Sequence, residues 1–246
     1  MPAQYGIIGF PLTHTFSPAF FNNKFAKEGI DAIYNVYPLA QVNDFKVLLD
    51  AVPLLRGLNV TMPYKQAIIP YLHNVNDIAG GMGAVNCIDF RNGIMTGYNT
   101  DIIGFRESLR PLLQPQHKHA LILGTGGASR AVGYVLGNEG ISYKKVSRTK
   151  EPETLTYDEL TPEIIREYPL IVNTTPLGMV PNADTYPPLP YSGITSHHLL
   201  YDLVYNPEET MFLTFGKQYG ATIKNGLEML PLQAEAAWKI WNKVTF

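Results

Sequence analysis

The sequence predicts an α/β protein whose chain divides into two parts, each built around its own sheet. Up to about residue 100, strand and helix patterns are mixed, and the Asn92-Gly93 dipeptide joins two strands as an antiparallel hairpin. From Ala120 the pattern changes to strand, glycine turn, helix, strand, which is typical of a parallel sheet. The chain has 246 residues, 46% of them hydrophobic, and is therefore long enough to bury a packed core.

The first part is expected to begin with a strand, followed by a loop whose prolines, Pro11 and Pro18, prevent a regular continuation. Ser17 is the expected N-cap of the next helix, and Gly29 should end it. The expected elements, in chain order, are a strand over residues 4–9, a helix over 17–27, a strand over 32–37, a helix over 42–49, a strand over 57–60, and the hairpin strands over 87–90 and 94–96.

The second part should contain buried strands that end in polar loops. These strands are expected over residues 120–123, 143–146, 170–173 and 199–202, with a crossover helix over 127–136 and a last helix over 230–241. Ligands of such open sheets bind beyond the carboxyl ends of the strands. The glycine turn that follows the first of these strands is therefore the expected ligand site of this part.

Composition and charge argue against several classes of function. A formal net charge of −2 and a pI near 6.3 leave no basic surface for nucleic acid. The N-terminus lacks the pattern of a signal peptide, and no apolar run approaches the ~20 residues that span a bilayer, so no membrane partner is expected. The single cysteine, Cys87, fits a reducing compartment, and the expected location is the cytoplasm.

The six histidines raise the question of a metal site. The tightest groupings, His117-Lys-His119 and His197-His198, are not accompanied by cysteines or carboxylates at the spacing of metal ligands. We therefore expect solvated loop histidines and no metal.

A lysine and an aspartate offer acid–base chemistry. Lys65 ends the segment Gly57-Leu-Asn-Val-Thr-Met-Pro-Tyr-Lys65 and Asp101 ends Gly97-Tyr-Asn-Thr-Asp101, so both stand in turn-rich stretches among amide and hydroxyl side chains. A lysine held beside an aspartate can give a proton to a carbonyl oxygen or take one from an alcohol. The alternative is a surface salt bridge worth ~0–1 kcal/mol.

The glycine turn Gly124-Thr-Gly-Gly-Ala-Ser-Arg-Ala131 predicts a dinucleotide cofactor, because its backbone can approach a pyrophosphate at the N-terminus of a helix. The alternative is a purely structural turn. Roughly 20 residues further on, an acid would bind the 2′-hydroxyl of NAD. This chain has Ser147-Arg-Thr-Lys150 there. The Arg148 guanidinium can pair with a 2′-phosphate, so the sequence favours NADP over NAD, with an exposed basic loop as the alternative.

Together with other segments, these motifs resemble those of the shikimate dehydrogenase family, in the family order and nearly from end to end. The further matching segments are His14-Thr-Phe-Ser-Pro18, Gly83-Ala-Val-Asn-Cys-Ile88, the stretch from Asp202 to Thr210, and Gly226-Leu-Glu-Met-Leu-Pro-Leu-Gln233. The resemblance implies a substrate-binding and catalytic domain over residues 1–101, joined by the C-terminal helix 227–246. It also implies a Rossmann-like NADP-binding domain over 102–226, with the active site in the cleft between the two.

The resemblance implies roles for individual residues. Lys65 and Asp101 are the catalytic pair, and Lys65 protonates the nascent alkoxide when hydride goes from NADPH to the ketone of 3-dehydroshikimate. The implied substrate-binding residues are Thr15, Ser17, Asn59, Thr61, Asn86, Tyr205 and Gln233. The implied cofactor-binding residues are Asp77, Gly124, Thr125, Gly126, Gly127, Ala128, Ser147, Arg148, Thr149, Lys150, Asn173, Thr174, Met179, Leu203 and Gly226.

The expected small-molecule partner is shikimate or 3-dehydroshikimate, in the route through chorismate to the aromatic amino acids, and the expected assembly is a monomer or a homodimer. Thr15 stands where the family usually has serine, and its extra methyl leaves a quinate/shikimate dehydrogenase as the nearest alternative. A non-catalytic NADP-binding regulator is disfavoured by the presence of both Lys65 and Asp101. A methyltransferase is disfavoured by Arg148 in place of an acid.

Overall fold

The computed structural model of the protein describes residues 1–12 and 15–243, and His14 of the first matching segment lies outside them. The strands are β1 (Ala3–Gly9), β2 (Ala32–Pro38), β3 (Leu55–Val60), β4 (Asn74–Val75), β5 (Cys87–Arg91), β6 (Ile94–Tyr98), β7 (His119–Leu123), β8 (Ser142–Ser147), β9 (Thr154–Thr156), β10 (Leu170–Asn173), β11 (Leu199–Asp202) and β12 (Thr222–Lys224). The helices are α1 (Phe16–Glu28), α2 (Phe45–Ala51), α3 (Tyr64–Ala67), α4 (Asp77–Met82), α5 (Asp101–Leu109), α6 (Gly127–Asn138), α7 (Pro162–Glu167), α8 (Met211–Gln218) and α9 (Met229–Trp241).

The chain forms two compact units. Unit 1 comprises residues 1–104 and 230–246, and unit 2 comprises residues 105–229. The first boundary falls within α5, and all of α9 except its first residue belongs to unit 1.

The sheet of unit 1 is mixed, as the sequence predicts. Its strand order is β2-β1-β3-β5-β6-β4, with β1 parallel to β2 and β3 and β5 antiparallel to β3 and β6. The predicted hairpin is present, since β5 and β6 pair as antiparallel neighbours. In its turn, Asn92 and Gly93 have φ angles of 51° and 76°, which match the twist of a two-residue turn. The chain that leaves the carboxyl end of β3 leads directly to Thr61 and Lys65.

The C-terminal helix α9 is held against this sheet by an aromatic cluster. The buried Trp241 donates its indole Nε1–H to the carbonyl oxygen of Ile88 at 3.0 Å. The Trp241 ring fills the space into which a side chain at position 57 would project, so β3 needs glycine at Gly57. Its centroid lies 5.0 Å from the ring of Tyr5 and 5.2 Å from that of Phe21. This packing fixes the helix that carries the last of the expected substrate-binding residues.

The sheet of unit 2 is parallel throughout, also as predicted. Its strand order is β12-β11-β10-β7-β8-β9, and every pairing is parallel. The interior strands β10 and β11 are buried along their whole length, which explains their continuous apolar sequences. The carboxyl ends of β7, β10 and β11 lie side by side, so the loops that follow them share one edge of the sheet.

Two local predictions about unit 1 are wrong in detail. Helix α1 begins at Phe16 with Thr15 as its N-cap residue, and Gly29 ends it as expected. Ser17, the predicted N-cap, is instead buried within the first turn, beside the hydroxyl of Tyr34. The helical pattern over residues 42–49 forms a 3-10 turn over 42–44 followed by α2.

The prediction of solvated loop histidines is wrong for two of them. His117 and His198 are 4% and 2% exposed. Their Nδ1 atoms accept the backbone N–H groups of Gln114 and Thr195, both at 3.0 Å. Burial lowers the pKa of both imidazoles, so each acts as a neutral acceptor that closes a turn.

Candidate active site

The structure brings Lys65 and Asp101 together in unit 1. Lys65 lies on the short helix α3 after β3, and its carbonyl oxygen accepts the N–H of Val85 at 2.7 Å. Asp101 is the first residue of α5, and its N–H donates to the Asn99 side-chain oxygen at 3.1 Å. The lysine Nζ lies 2.7 Å from Asp101 Oδ2, and the two side chains are 34% and 27% exposed. The pair is thus formed within the protein and still open to a ligand.

Asn86 fixes the other oxygen of the Asp101 carboxylate. Its Nδ2 group donates to Asp101 Oδ1 at 2.9 Å and to Thr100 Oγ1 at 3.1 Å. Its Oδ1 accepts the Thr100 N–H at 2.7 Å, which sets the orientation of the amide. Asn86 is 3% exposed and Thr100 is fully buried. Both carboxylate oxygens of Asp101 are therefore held by donors, and the Thr100 contribution is a feature that the sequence prediction missed.

Asn59 continues this arrangement towards α1. Its Nδ2 donates to the backbone oxygen of Asn86 at 3.3 Å, and its Oδ1 accepts the hydroxyl hydrogen of Tyr34 at 2.7 Å. Burial raises the pKa of Tyr34, and the neighbouring Ser17 hydroxyl offsets part of that rise. The six residues connected in this way, five of them through their side chains alone and Asn86 also through its main-chain carbonyl, form what we call the polar chain, in the order Ser17, Tyr34, Asn59, Asn86, Asp101 and Lys65.

The other substrate residues expected in unit 1 are each half-buried. Gln233 on α9 accepts from the Thr100 hydroxyl at 3.4 Å and donates to the Leu230 carbonyl at 3.1 Å. Thr61 follows β3, and its methyl group packs where a side chain at Gly9 would project. Thr15 is the N-cap residue of α1, but its side chain makes no capping hydrogen bond. Its hydroxyl is therefore not used by the helix.

In unit 2, the glycine turn has the geometry of an anion cradle. Gly124 has a φ of 108°, and a Cβ there would lie 2.9 Å from Thr174 Oγ1, so both conformation and space require glycine. A Cβ at Gly126 or Gly127 would meet no heavy atom within 4 Å. The protein's own packing therefore does not require these two glycines, and they leave the N-terminus of α6 open to the close approach of a phosphate. Thr125 and Ala128 lie in the same turn.

Ser129 stands where the standard dinucleotide fingerprint has its third glycine. The buried Ser129 hydroxyl donates to the Gly126 carbonyl oxygen at 2.7 Å, which closes the turn from inside. The close packing of α6 on the sheet is provided one turn later by Gly133, where a Cβ would lie 2.7 Å from the Tyr143 hydroxyl oxygen.

The two cations after β8 differ in their surroundings. The buried Ser147 accepts the Thr149 N–H at 3.3 Å and so shapes the turn. Lys150 is paired with Glu159, its Nζ lying 2.7 Å from Oε1. Arg148 is exposed, and within residues 1–12 and 15–243 it has no carboxylate partner. Of these two cations, Arg148 is therefore the one that can bind a phosphate without losing an ion pair.

The loops that follow β10 and β11 are joined by a buried carboxylate. Asp202 Oδ1 accepts from Asn173 Nδ2 at 2.9 Å and from the Val204 N–H at 3.0 Å, and Oδ2 accepts the Thr210 hydroxyl hydrogen at 2.6 Å. Burial raises the pKa of Asp202 to about 6, although these three hydrogen bonds oppose the rise. The Asn173 carbonyl accepts the Leu203 N–H at 3.0 Å. Asp202 thus connects the loops that follow β10 and β11, a role that was not among those expected from the sequence.

Of the remaining expected cofactor residues of unit 2, Thr174, Met179 and Leu203 lie on these same loops, and Gly226 follows β12. Thr174 Oγ1 donates to the Leu123 carbonyl at 2.6 Å. The Gly226 N–H donates to the Val204 carbonyl at 3.2 Å, and the Leu203 carbonyl fills the space beside its Cα. Met179 and Tyr205 are 41% and 39% exposed. Asp77, by contrast, is an exposed residue at the start of α4 in unit 1.

The described residues bear on two further classes of site. Across residues 1–12 and 15–243, no three histidine, cysteine, aspartate or glutamate side chains are grouped so that they could hold a metal ion. In the same part of the chain, no helix has both the length and the apolar character needed to cross a membrane.

Comparison with known proteins places this chain in a family. A family model described as the shikimate dehydrogenase substrate binding domain matches residues 7–88. The shikimate dehydrogenase (NADP(+)) of Halothermothrix orenii is 38% identical over an alignment that covers 97% of this chain and 90% of that protein. The crystal structure of shikimate dehydrogenase from Aquifex aeolicus has a TM-score of 0.87 at 37% identity, covering 98% of this chain and 93% of that one. Shikimate 5-dehydrogenase from Thermus thermophilus, in complex with NADP(H) and shikimate, has a TM-score of 0.87 at 30% identity, covering 98% and 94%.

Proposed function

This chain belongs to the shikimate dehydrogenase family, and from that premise we propose that it catalyses the reversible, NADPH-dependent reduction of 3-dehydroshikimate to shikimate. The reaction serves the route through chorismate to the aromatic amino acids. The observation that carries the proposal is the contact of Lys65 with Asp101, held by Asn86 and open to a ligand. A cytoplasmic location and a monomeric or homodimeric assembly stay predictions.

Reduction of a ketone needs a hydride for the carbon and a proton for the oxygen. NADPH, when bound, supplies the hydride. Lys65 holds a proton at Nζ and gives it to the nascent alkoxide oxygen, and in the reverse direction Nζ takes the alcohol proton. Asp101 keeps Nζ in place through its 2.7 Å contact. Asn86 holds the carboxylate itself, so the direction in which Nζ points is set by buried groups rather than by solvent.

The substrate is a small acid with several hydroxyl groups, and each of these must find a partner when it is buried. The hydroxyls of Thr15 and Ser17, with Tyr205, bind the carboxylate. The side chains that bind the ring hydroxyls are Asn59, Thr61, Asn86, Asp101 and Gln233. In support, the structure gathers Ser17, Asn59, Asn86 and Asp101 into one polar chain.

The cofactor residues of unit 2 fit NADP. Gly126 and Gly127 leave the N–H groups at the start of α6 accessible, which suits the pyrophosphate. The exposed Arg148 pairs with the 2′-phosphate, because Lys150 is already paired with Glu159. Asn173, Thr174, Met179, Leu203 and Gly226 bind the nicotinamide end. Asp77, which starts α4 in unit 1, is proposed only by resemblance.

The experiment that tests the proposal offers shikimate and quinate, each with NADP and with NAD, to the purified protein and follows nicotinamide absorbance. The proposed function requires oxidation of shikimate with NADP at a kcat/KM well above that of the other three combinations. Comparable turnover of quinate would make the protein a quinate/shikimate dehydrogenase. If the protein binds NADP but oxidises neither acid, the result would support a non-catalytic NADP-binding regulator.

A further inference from the structure

We propose that Tyr34 is a positioning residue of the substrate site, an inference that rests on the proposed function. Its hydroxyl connects the carboxylate-binding end of the polar chain, at Ser17, with the amide side chain of Asn59. The hydroxyl does not touch the reacting atoms. It acts through the two side chains that it holds.

Tyr34 is fixed in place from several directions. Its ring stacks on that of Phe21, with the centroids 4.7 Å apart and the planes 11° from parallel. The side chain of Asn22 binds its backbone twice, because Nδ2 donates to the Tyr34 carbonyl and Oδ1 accepts the Tyr34 N–H, both at 2.9 Å. The tyrosine is 2% exposed. A residue held by its ring and its main chain gives its hydroxyl a single position.

The hydrogen bonds of this hydroxyl have a fixed direction. Asn59 Nδ2 donates to the Asn86 carbonyl, so Asn59 Oδ1 faces Tyr34 and accepts its hydroxyl hydrogen. Because burial raises the pKa of Tyr34, the hydroxyl keeps this hydrogen. The Tyr34 oxygen is then left as the acceptor for Ser17.

This direction determines what the substrate meets. The carbonyl oxygen of Asn59 is occupied by Tyr34, so Asn59 offers its second Nδ2 hydrogen to the ligand and recognises an acceptor oxygen. The Ser17 hydroxyl donates its hydrogen bond to Tyr34 until a substrate carboxylate becomes the acceptor instead. Tyr34 therefore presets the donors of the pocket, which lowers the ordering cost of binding the substrate.

The test is the variant Tyr34→Phe, which keeps the stacked ring and removes only the hydroxyl. We expect the KM for shikimate to rise about five- to tenfold while the KM for NADP is unchanged, since the buried hydroxyl that holds Asn59 and Ser17 is lost from the substrate side. The matched control is Tyr64→Phe, because Tyr64 is also buried in unit 1 and its hydroxyl donates to the Leu39 carbonyl at 2.7 Å, outside the polar chain. The control should leave the KM for shikimate unchanged.

A second measurement separates positioning from a general loss of stability. In an Asn59→Ala background, Tyr34→Phe should raise the KM for shikimate by a smaller factor than it does in the wild-type protein, since one of the two residues through which it acts is gone. Additive effects would overturn the proposal, as would an unchanged KM for shikimate in Tyr34→Phe. If Tyr34→Phe does not fold, the variant Asn22→Ala, at an exposed position, takes its place. It should raise the KM for shikimate, because the Asn22 side chain no longer holds the Tyr34 backbone. An unchanged KM in Asn22→Ala would then overturn the proposal. Failure of the wild-type protein to oxidise shikimate would refute the proposed function itself.

Discussion

Lys65 and Asp101 are 36 positions apart in the chain and meet with Nζ 2.7 Å from Oδ2. An exposed pair of this kind would contribute ~0–1 kcal/mol to stability. Here the second carboxylate oxygen is bound by Asn86, which is almost completely buried. The geometry of the pair is thus set from inside unit 1, while both side chains stay open enough to meet a ligand.

Lys65→Ala should abolish turnover and leave NADP binding nearly intact. Proton transfer typically contributes ~10²–10⁴-fold to the rate, and the proposed cofactor residues other than Asp77 lie in unit 2. The measurements are kcat for shikimate oxidation and the Kd for NADP. Lys24→Ala is the matched control, because Lys24 is a poorly exposed lysine of unit 1 paired with Glu28 and Glu235. Its kcat should stay at the wild-type value, and near-normal turnover in Lys65→Ala would remove Lys65 from the mechanism.

Arg148→Ala should raise the KM for NADP far more than the KM for NAD. A charge-assisted contact with the 2′-phosphate is worth on the order of 1.5–3 kcal/mol, and NAD has no such phosphate. Arg166→Ala is a suitable control, since Arg166 is an exposed arginine of unit 2 paired with Glu163 at 3.3 Å. Lys150→Ala should have a smaller effect than Arg148→Ala, because Glu159 already holds that lysine. Equal losses for NADP and NAD in Arg148→Ala would show that this guanidinium does not bind the 2′-phosphate.

Thr15→Ser should improve activity towards quinate more than towards shikimate. Quinate carries an extra hydroxyl on the carbon that bears the carboxylate, and we propose that the threonine methyl crowds that carbon. A change of one methyl group in a tight pocket is worth ~1–3 kcal/mol. The Thr15 hydroxyl makes no capping bond in α1, so the change to serine leaves the helix intact. The measurement is the ratio of kcat/KM for the two acids in both proteins. An unchanged ratio would mean that Thr15 does not determine the choice of substrate, and Tyr205 and Gln233 would be the next residues to test.

Asp202→Asn should change how stability depends on pH. The pKa of Asp202 is raised to about 6 in the folded protein, so the folded state binds this proton more tightly than the unfolded chain does. That stabilisation is fully present below about pH 4 and is lost as the pH rises to about 6. Denaturation of both proteins across this range measures their free energies of unfolding. The free energy of unfolding of the variant, relative to that of the wild type, should therefore increase with rising pH, by on the order of 3 kcal/mol in total. Parallel curves would mean that Asp202 does not titrate in this range.

Much of the architecture follows from local sequence. The Asn92-Gly93 turn predicts the hairpin because both residues tolerate positive φ. The continuous apolar runs of β10 and β11 predict strands buried on both faces of a parallel sheet. The glycine turn at Gly124 is equally local, since it depends on one strand, one tight turn and one helix. Such features are fixed by a few neighbouring residues, so the sequence by itself determines them.

Lys65 and Asp101 were also identifiable, because each ends a turn-rich segment of polar residues. Their contact, however, depends on the tertiary structure that brings α3 and the start of α5 together, and on Asn86, which holds the Asp101 carboxylate. The N-cap of α1 shows the same limit. Ser17 has the right chemistry to cap the helix, but the tertiary structure places its hydroxyl beside Tyr34, and the helix starts one residue after Thr15.

Tyr34 and Asp202 depend entirely on the tertiary structure. In the sequence, Tyr34 is one inward residue of an alternating strand, and its partner Asn59 lies on β3, separated from β2 by β1. Asp202 ends a buried strand, and its partners Asn173 and Thr210 come from other parts of unit 2. Side-chain hydrogen bonds between distant segments are set by strand order and register, which no local pattern encodes. The sequence therefore determined which chemical groups the protein carries, and only the tertiary structure decided which of them hold one another in place.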